Sequence, residues 1–134
     1  MVGETDLDIL IAGMDPELRP GVFVFATLPD GASIPKDPPP LMTFRESEGV
    51  TLILAEEAAD AAGIEAVFRC RMITLRVHSA LEAVGFIARI ASLLASAGMG
   101  VNPVAGFHHD HLFVPEDRAE HAMRLLQDMA EAAR

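Results

Sequence analysis

A single cysteine, Cys70, stands in this 134-residue chain, which has no tryptophan and no tyrosine and sets ten Lys+Arg against twenty Asp+Glu. One thiol cannot close an intramolecular disulfide, so a reducing, cytoplasmic setting fits better than secretion. The shortage of positive charge, a formal net charge of -10, argues against nucleic acid as a partner. Such a surface repels a phosphate backbone, and no stretch is locally basic with aromatics interleaved. Residues 1–14 carry Glu4, Asp6 and Asp8 where a signal peptide would be basic. Long apolar runs are lacking too: Val22 to Leu28 and Phe86 to Leu94 fall well short of the roughly 20 residues that span a bilayer. No membrane is therefore expected as a partner. Nor is there a G-x-S-x-G elbow, a phosphate-binding loop, a dinucleotide fingerprint or a C-x-x-C pair, so no enzymatic activity and no cofactor are expected.

What the chain does have is apolar side chains, 51% of its residues, enough for one domain or for two very small modules sharing a core. Leu7, Leu10 and Ile11 lie at helical spacing and predict a short helix within Thr5–Met14. The β-branched and aromatic run Val22–Leu28 predicts a buried strand. Residues 29–40 hold five of the nine prolines and are read as an extended loop. Two strands, Leu41–Glu46 and Val50–Leu54, flank Ser47-Glu48-Gly49 as an antiparallel hairpin. An alanine-rich helix over 55–62 begins with Glu56 and Glu57, where the dipole favours acids, and stops at Gly63. Strands are then expected at Ile64–Cys70 and Arg71–Val77; in the second, Ile73, Leu75 and Val77 alternate with Thr74, Arg76 and His78. A long apolar helix is expected over Ala80–Ala97, started by the capping box Ser79-Ala80-Leu81-Glu82 and ended by Gly98. Its apolar flank implies a second layer, most simply another subunit. Strands near 99–105 and 111–114 follow, Pro103 marking an edge, and a helix over 116–133 closes the sequence. Helices mixed with antiparallel hairpins indicate an α+β fold with helices on one face of the sheet. Ala61-Ala62-Gly63-Ile64 and Ser96-Ala97-Gly98-Met99 hint at an internal duplication.

Two polar constellations stand out. His108, His109, Asp110 and His111 put three imidazoles and a carboxylate within four positions, a candidate for zinc or nickel; the plainer reading is a polar hairpin tip. No established metal spacing is matched, so no metal ligand is assigned there. The second is the strand-to-helix junction at His78-Ser79-Ala80-Leu81, where free helix amides suit a carboxylate unless Ser79 and Glu82 satisfy them. Gly85 costs about 1 kcal/mol inside a helix and calls for close packing or a ligand near the backbone. Cys70 and the acidic pairs Glu56-Glu57 and Glu116-Asp117 are read as a buried small side chain and as helix-start acids.

Val22-Phe23-Val24-Phe25-Ala26-Thr27-Leu28-Pro29, Thr43 to Gly49, Ile73 to Gly85 and His109-Asp110-His111-Leu112-Phe113-Val114-Pro115 together resemble, in order and over nearly the whole chain, a family of small bacterial ACT-domain proteins. The resemblance implies a ferredoxin-like ACT fold of two interleaved modules. Residues 1–70 would be a degenerate module whose first helix is replaced by the proline loop 29–40, and residues 71–134 the second module. Because the second half lacks a final strand, a strand from the first, Ile64–Cys70, is expected to complete its sheet. The family implies a regulatory, non-enzymatic protein that binds an amino acid or similar small metabolite, as a homodimer. Related modules in eukaryotic cytosolic arginine sensors have a similar His-Ser-x-Leu junction and an Asp-His pair. Carried over by motif, the implied ligand-binding residues are His78, Ser79, Val84, Gly85 and Asp110. Asp110 would receive an α-ammonium group and the helix-start amides an α-carboxylate. Pro103 and His108 depart from the family pattern.

Overall fold

In the computed structural model, which describes residues 3–134, the first helix is α1 (Leu7–Ala12), started by the Asp6 carboxylate accepting from the Ile9 N–H at 3.1 Å. Leu10 and Ile11 are its buried face. A three-residue strand, β1 (Pro16–Leu18), follows. Both belong to a compact unit formed by the residues up to Pro20 together with Arg71–Arg134; Gly21–Cys70 form the other.

In the Gly21–Cys70 unit, β2 (Phe23–Leu28) is the expected buried strand. The proline-rich residues 29–40 contain no helix or strand. β3 (Met42–Glu46) and β4 (Gly49–Ala55) are the antiparallel hairpin, Glu46 pairing with Gly49. α2 (Glu56–Ala62) ends at Gly63, φ 66°, and β5 (Val67–Leu75) begins here, paired antiparallel with β2. Phe68, at φ 61°, accompanies a shift of register in that pairing, as at a β-bulge. Strands thus lie in the order β5, β2, β4, β3: fourth, first, third, second in module order. Val24, Ala26, Leu52, Leu54, Ala58 and Ala59 are the core. Arg69 closes the unit's surface by pairing with Glu56 at 2.5 Å.

The other unit takes its first strand from β5 beyond Cys70, then adds α3 (Phe86–Ser96), β6 (Asn102–Ala105), β7 (Asp110–Pro115), a 3-10 turn at Glu116–Arg118 and α4 (Ala119–Ala132). Its strand order is β1, β5, β7, β6, again fourth, first, third, second. β6 is an edge, as Pro103 requires. The fourth strand is β1, with Pro16, Glu17 and Leu18 opposite Leu75, Thr74 and Ile73. The start of the chain therefore completes the sheet of its second half. Leu10, Ile11 and Met14 are buried with Ile73, Leu75, Ile90, Leu94, Leu112 and Leu126 in one core. This is an α+β fold of two interleaved ferredoxin-like modules.

Several local expectations are corrected. Ile64–Cys70 does not complete the second sheet: β1 does, and the two strands expected over 64–77 are one strand, β5. Alternation in β5 predicts one covered face, yet Met72 and Thr74 are buried as well, with His111 Nδ1 3.0 Å from Thr74 Oγ1. The largest correction concerns α3, which starts at Phe86 rather than Ala80. The backbone at 78–80 is engaged elsewhere: Glu4 N–H donates to His78 O and Ala80 N–H to Glu4 O, both at 2.8 Å. Ser79 makes no capping box with Glu82. On the apolar flank of α3 Phe86 is buried, whereas Ile87 and Leu93 pack against the core and stay half-buried.

Candidate ligand-binding site

With α3 displaced, residues 79–85 become a loop that meets the start of β7. Gly85 is the N-cap of α3 at φ 91°, ψ -9°. This left-handed conformation is open to glycine and strained for side chains. No side chain caps the helix, and the Gly85 carbonyl accepts from Arg89 N–H at 3.0 Å in the first turn. The N–H groups of Phe86, Ile87 and Ala88 precede that bond, and with the positive end of the dipole they are available to an acceptor.

Opposite them lies Asp110, the first residue of β7 and only 8% exposed. Ser79 Oγ donates to its Oδ2 at 3.1 Å, whereas Oδ1 has no hydrogen-bond partner among the described residues. Burial is the main influence on this carboxyl and raises its pKa above the ordinary range; the Ser79 hydrogen bond and the nearby His111 and His109 pull the other way. A buried carboxylate with an open oxygen is a site for a cation.

Between the two lies a cavity of about 190 Å³. Ser79, Ala80, Leu81 and Ala83 contribute from the loop, Gly85 to Ala88 from the helix start, and Ala105 and Asp110 from the β6–β7 hairpin. Of the sequence-predicted residues, Ser79, Gly85 and Asp110 line it. Val84 does not and is 84% exposed. His78 does not either: its ring stands beside Phe107 and His108, with centroids at 6.4 and 5.5 Å. Sequence reasoning missed Ala83 and Ala105 as walls. Ala105 faces Asp110 in the β6–β7 register, a pairing across a four-residue loop that carries no local signal.

The histidines of the tip are dispersed. His109 and His111 rings are 6.4 Å apart, and His111 Nδ1 is engaged with Thr74. Burial is the main cause of a lowered His111 pKa. Among the described residues, no three His, Cys, Asp or Glu side chains gather as ligands for a metal ion. Cys70 is buried, its thiol pushed up to about 12 by burial, and so is not a nucleophile at neutral pH. On the Gly21–Cys70 unit a wider groove of about 890 Å³ runs past Thr27, Ile64 and Glu65. Its carboxylates, Asp60 and Glu65, are exposed, so it lacks the buried polar group that would fix a small ligand.

The repeated strand order, each time with a helix after the third strand, defines a tandem ferredoxin-like α+β protein. Residues 2–71 match the ACT domain, and residues 67–128 match a second ACT-domain pattern. The chain belongs to the ACT-domain family, whose modules are regulatory. A Vibrio cholerae protein, described as of unknown function and a possible transport protein, is 43% identical; the match covers 92% of this chain and 95% of that one, with a TM-score of 0.81. An Agrobacterium tumefaciens protein at 18% identity matches over 86% and 87% of the two chains, with a TM-score of 0.72. The ligand-free regulatory subunit of aspartate kinase from Thermus thermophilus, at 14% identity, matches over 85% and 95%, with a TM-score of 0.60. The last two share the fold. No curated protein matches the sequence. Among the described residues, no helix is long and apolar enough to cross a membrane.

Proposed function

We propose that this is a non-enzymatic regulatory protein of the cytoplasm that binds an amino acid or similar small metabolite between Asp110 and the start of α3. The observation that carries the reading is the pairing, across one cavity, of a buried carboxylate with an open oxygen and a helix start with no side-chain cap. An α-ammonium on Asp110 and an α-carboxylate on the amides of Phe86 to Ala88 satisfy both at once. Ser79 holds the carboxylate in place, and Gly85 brings the backbone to the ligand. Family membership supports regulation, and the aspartate kinase subunit shares the fold.

The test is a thermal-shift screen with the twenty amino acids. A ligand at 100 times its Kd adds about 2.7 kcal/mol of stability, a rise of several degrees in Tm. Absence of stabilisation by every amino acid overturns the reading and leaves an interaction module without a ligand.

The reading includes a homodimer. Leu81 and Val84, in the loop before α3, are 65% and 84% exposed, and burying such side chains on a second copy contributes about 1.5–3 kcal/mol each. Sedimentation velocity should show a dimer that Leu81→Asp together with Val84→Asp converts to a monomer. A monomeric wild-type chain contradicts this part of the proposal.

A further inference from the structure

Resting on that reading of the Asp110 cavity, we infer that its ligand class is the α-amino acids with uncharged side chains. The cavity of about 190 Å³ exceeds the engineered apolar cavity of about 150 Å³ that admits benzene, so it has room for an amino acid's α-groups and a side chain. Wall chemistry comes first. Apart from Ser79 and Asp110, the lining residues are apolar or glycine and offer no hydrogen bond from their side chains. Charge comes second. Asp110 is the one ionisable side chain of the lining, and the proposed α-ammonium uses it.

A second carboxylate on the ligand therefore finds no cation in the wall and lies near Asp110, a like charge in a poorly solvated place. A second ammonium or a guanidinium finds no second carboxylate. It either stays unpaired inside, or leaves the cavity on a long stem that gains no specific contact. Selection here is by exclusion: the wall rejects charge, and the α-groups supply the affinity.

Isothermal titration calorimetry of the full chain with glycine, alanine, serine, valine, leucine, aspartate, glutamate, lysine, arginine and phenylalanine tests the inference. At least one of the uncharged members should bind ten times or more tighter than every charged one. A charged amino acid binding as tightly as the best uncharged one overturns the inference and leaves the amino-acid reading standing. Binding by none of the panel overturns both. N-acetylalanine and alaninamide, each lacking one α-charge, should bind at least tenfold more weakly than alanine; equal binding by either also overturns the inference, because the α-groups would then not be the anchor.

Discussion

At Asp110 the fold sustains an unfavourable burial, and the consequence is measurable. A raised carboxyl pKa means that the folded state holds its proton more tightly than the unfolded chain does. Its contribution to stability therefore falls as pH rises through the window between the ordinary carboxylate value and the raised one, and the penalty is full above it. Asp110→Asn removes that penalty and keeps an acceptor for Ser79 Oγ. Near pH 7 the variant should melt at the wild-type temperature or higher in the absence of ligand, while losing stabilisation by any amino acid. Thermal denaturation followed by circular dichroism, with and without ligand, checks both halves. A variant that melts lower and still responds contradicts the assignment. His111 has the opposite sign. Its pKa is lowered, mainly by burial, so the neutral ring stabilises the fold at neutral pH, and that contribution is lost as pH falls from about 6.5 through the lowered value. His111→Gln keeps a polar partner for Thr74 and has no proton to take up. Urea denaturation at pH 7 and pH 5 should show the variant losing less stability than wild type between the two; an equal or larger loss refutes the role.

Where α3 begins is set by one glycine and by contacts distant in sequence. A side chain at the Gly85 conformation, φ 91°, costs about 1–3 kcal/mol, although the nearest atom to a Cβ there is Leu7 Cδ2 at 3.5 Å, an ordinary contact. Gly85→Ala should therefore lower stability by about that amount through backbone strain, and Gly85→Asn by less, because asparagine tolerates the left-handed region better. Chemical denaturation gives the ranking; equal losses would point to packing instead. The same helix shows how far the sequence can be read. The hairpin β3–β4, α2 with its Gly63 stop, and α4 are local features, and each was legible within a residue or a few. Ser79-Ala80-Leu81-Glu82 is a good local signal that fails, because Glu4 takes the backbone bonds and Asp110 takes the hydroxyl. β1, three residues long between Pro16 and Pro20, is illegible: only its pairing with β5 makes it a strand. The matching Gly63 and Gly98 junctions are real as local structure. In both, the residue after the glycine donates five residues back, Ile64 to Ala59 and Met99 to Leu94, the helix-ending geometry that glycine permits. They nevertheless occupy different places, after the second helix of one module and the first helix of the other. The duplication lies in the strand order and the family match, not in these two junctions. At the site, the residues carried by motif could be named beforehand, whereas the alanine walls depend on a loop and a hairpin register that no short-range pattern encodes.

Across the molecule, the two modules are not the two covalent halves. Residues up to Pro20 supply β1 and the helix face of Leu10 and Ile11, with Met14, to the unit of Arg71–Arg134. Those three side chains are essentially inaccessible to solvent, and truncating one such residue to alanine costs about 2–5 kcal/mol. Removing all three together with β1 exceeds the 5–15 kcal/mol that holds a typical domain folded, or comes close to it. Deletion of residues 1–20 should therefore unfold the Arg71–Arg134 unit, whereas Leu10→Ala alone should weaken it by a few kcal/mol and leave it folded. Amide hydrogen exchange distinguishes the cases residue by residue: in the deletion variant, protection should vanish from β7 and α4, while the β2–β4 pairing, made wholly within Gly21–Cys70, retains at least part of its own. Protection persisting in β7 and α4 would show that the last 64 residues, Arg71 to Arg134, hold a core without the first strand, and interleaving would then be an arrangement of the chain rather than a condition of its stability.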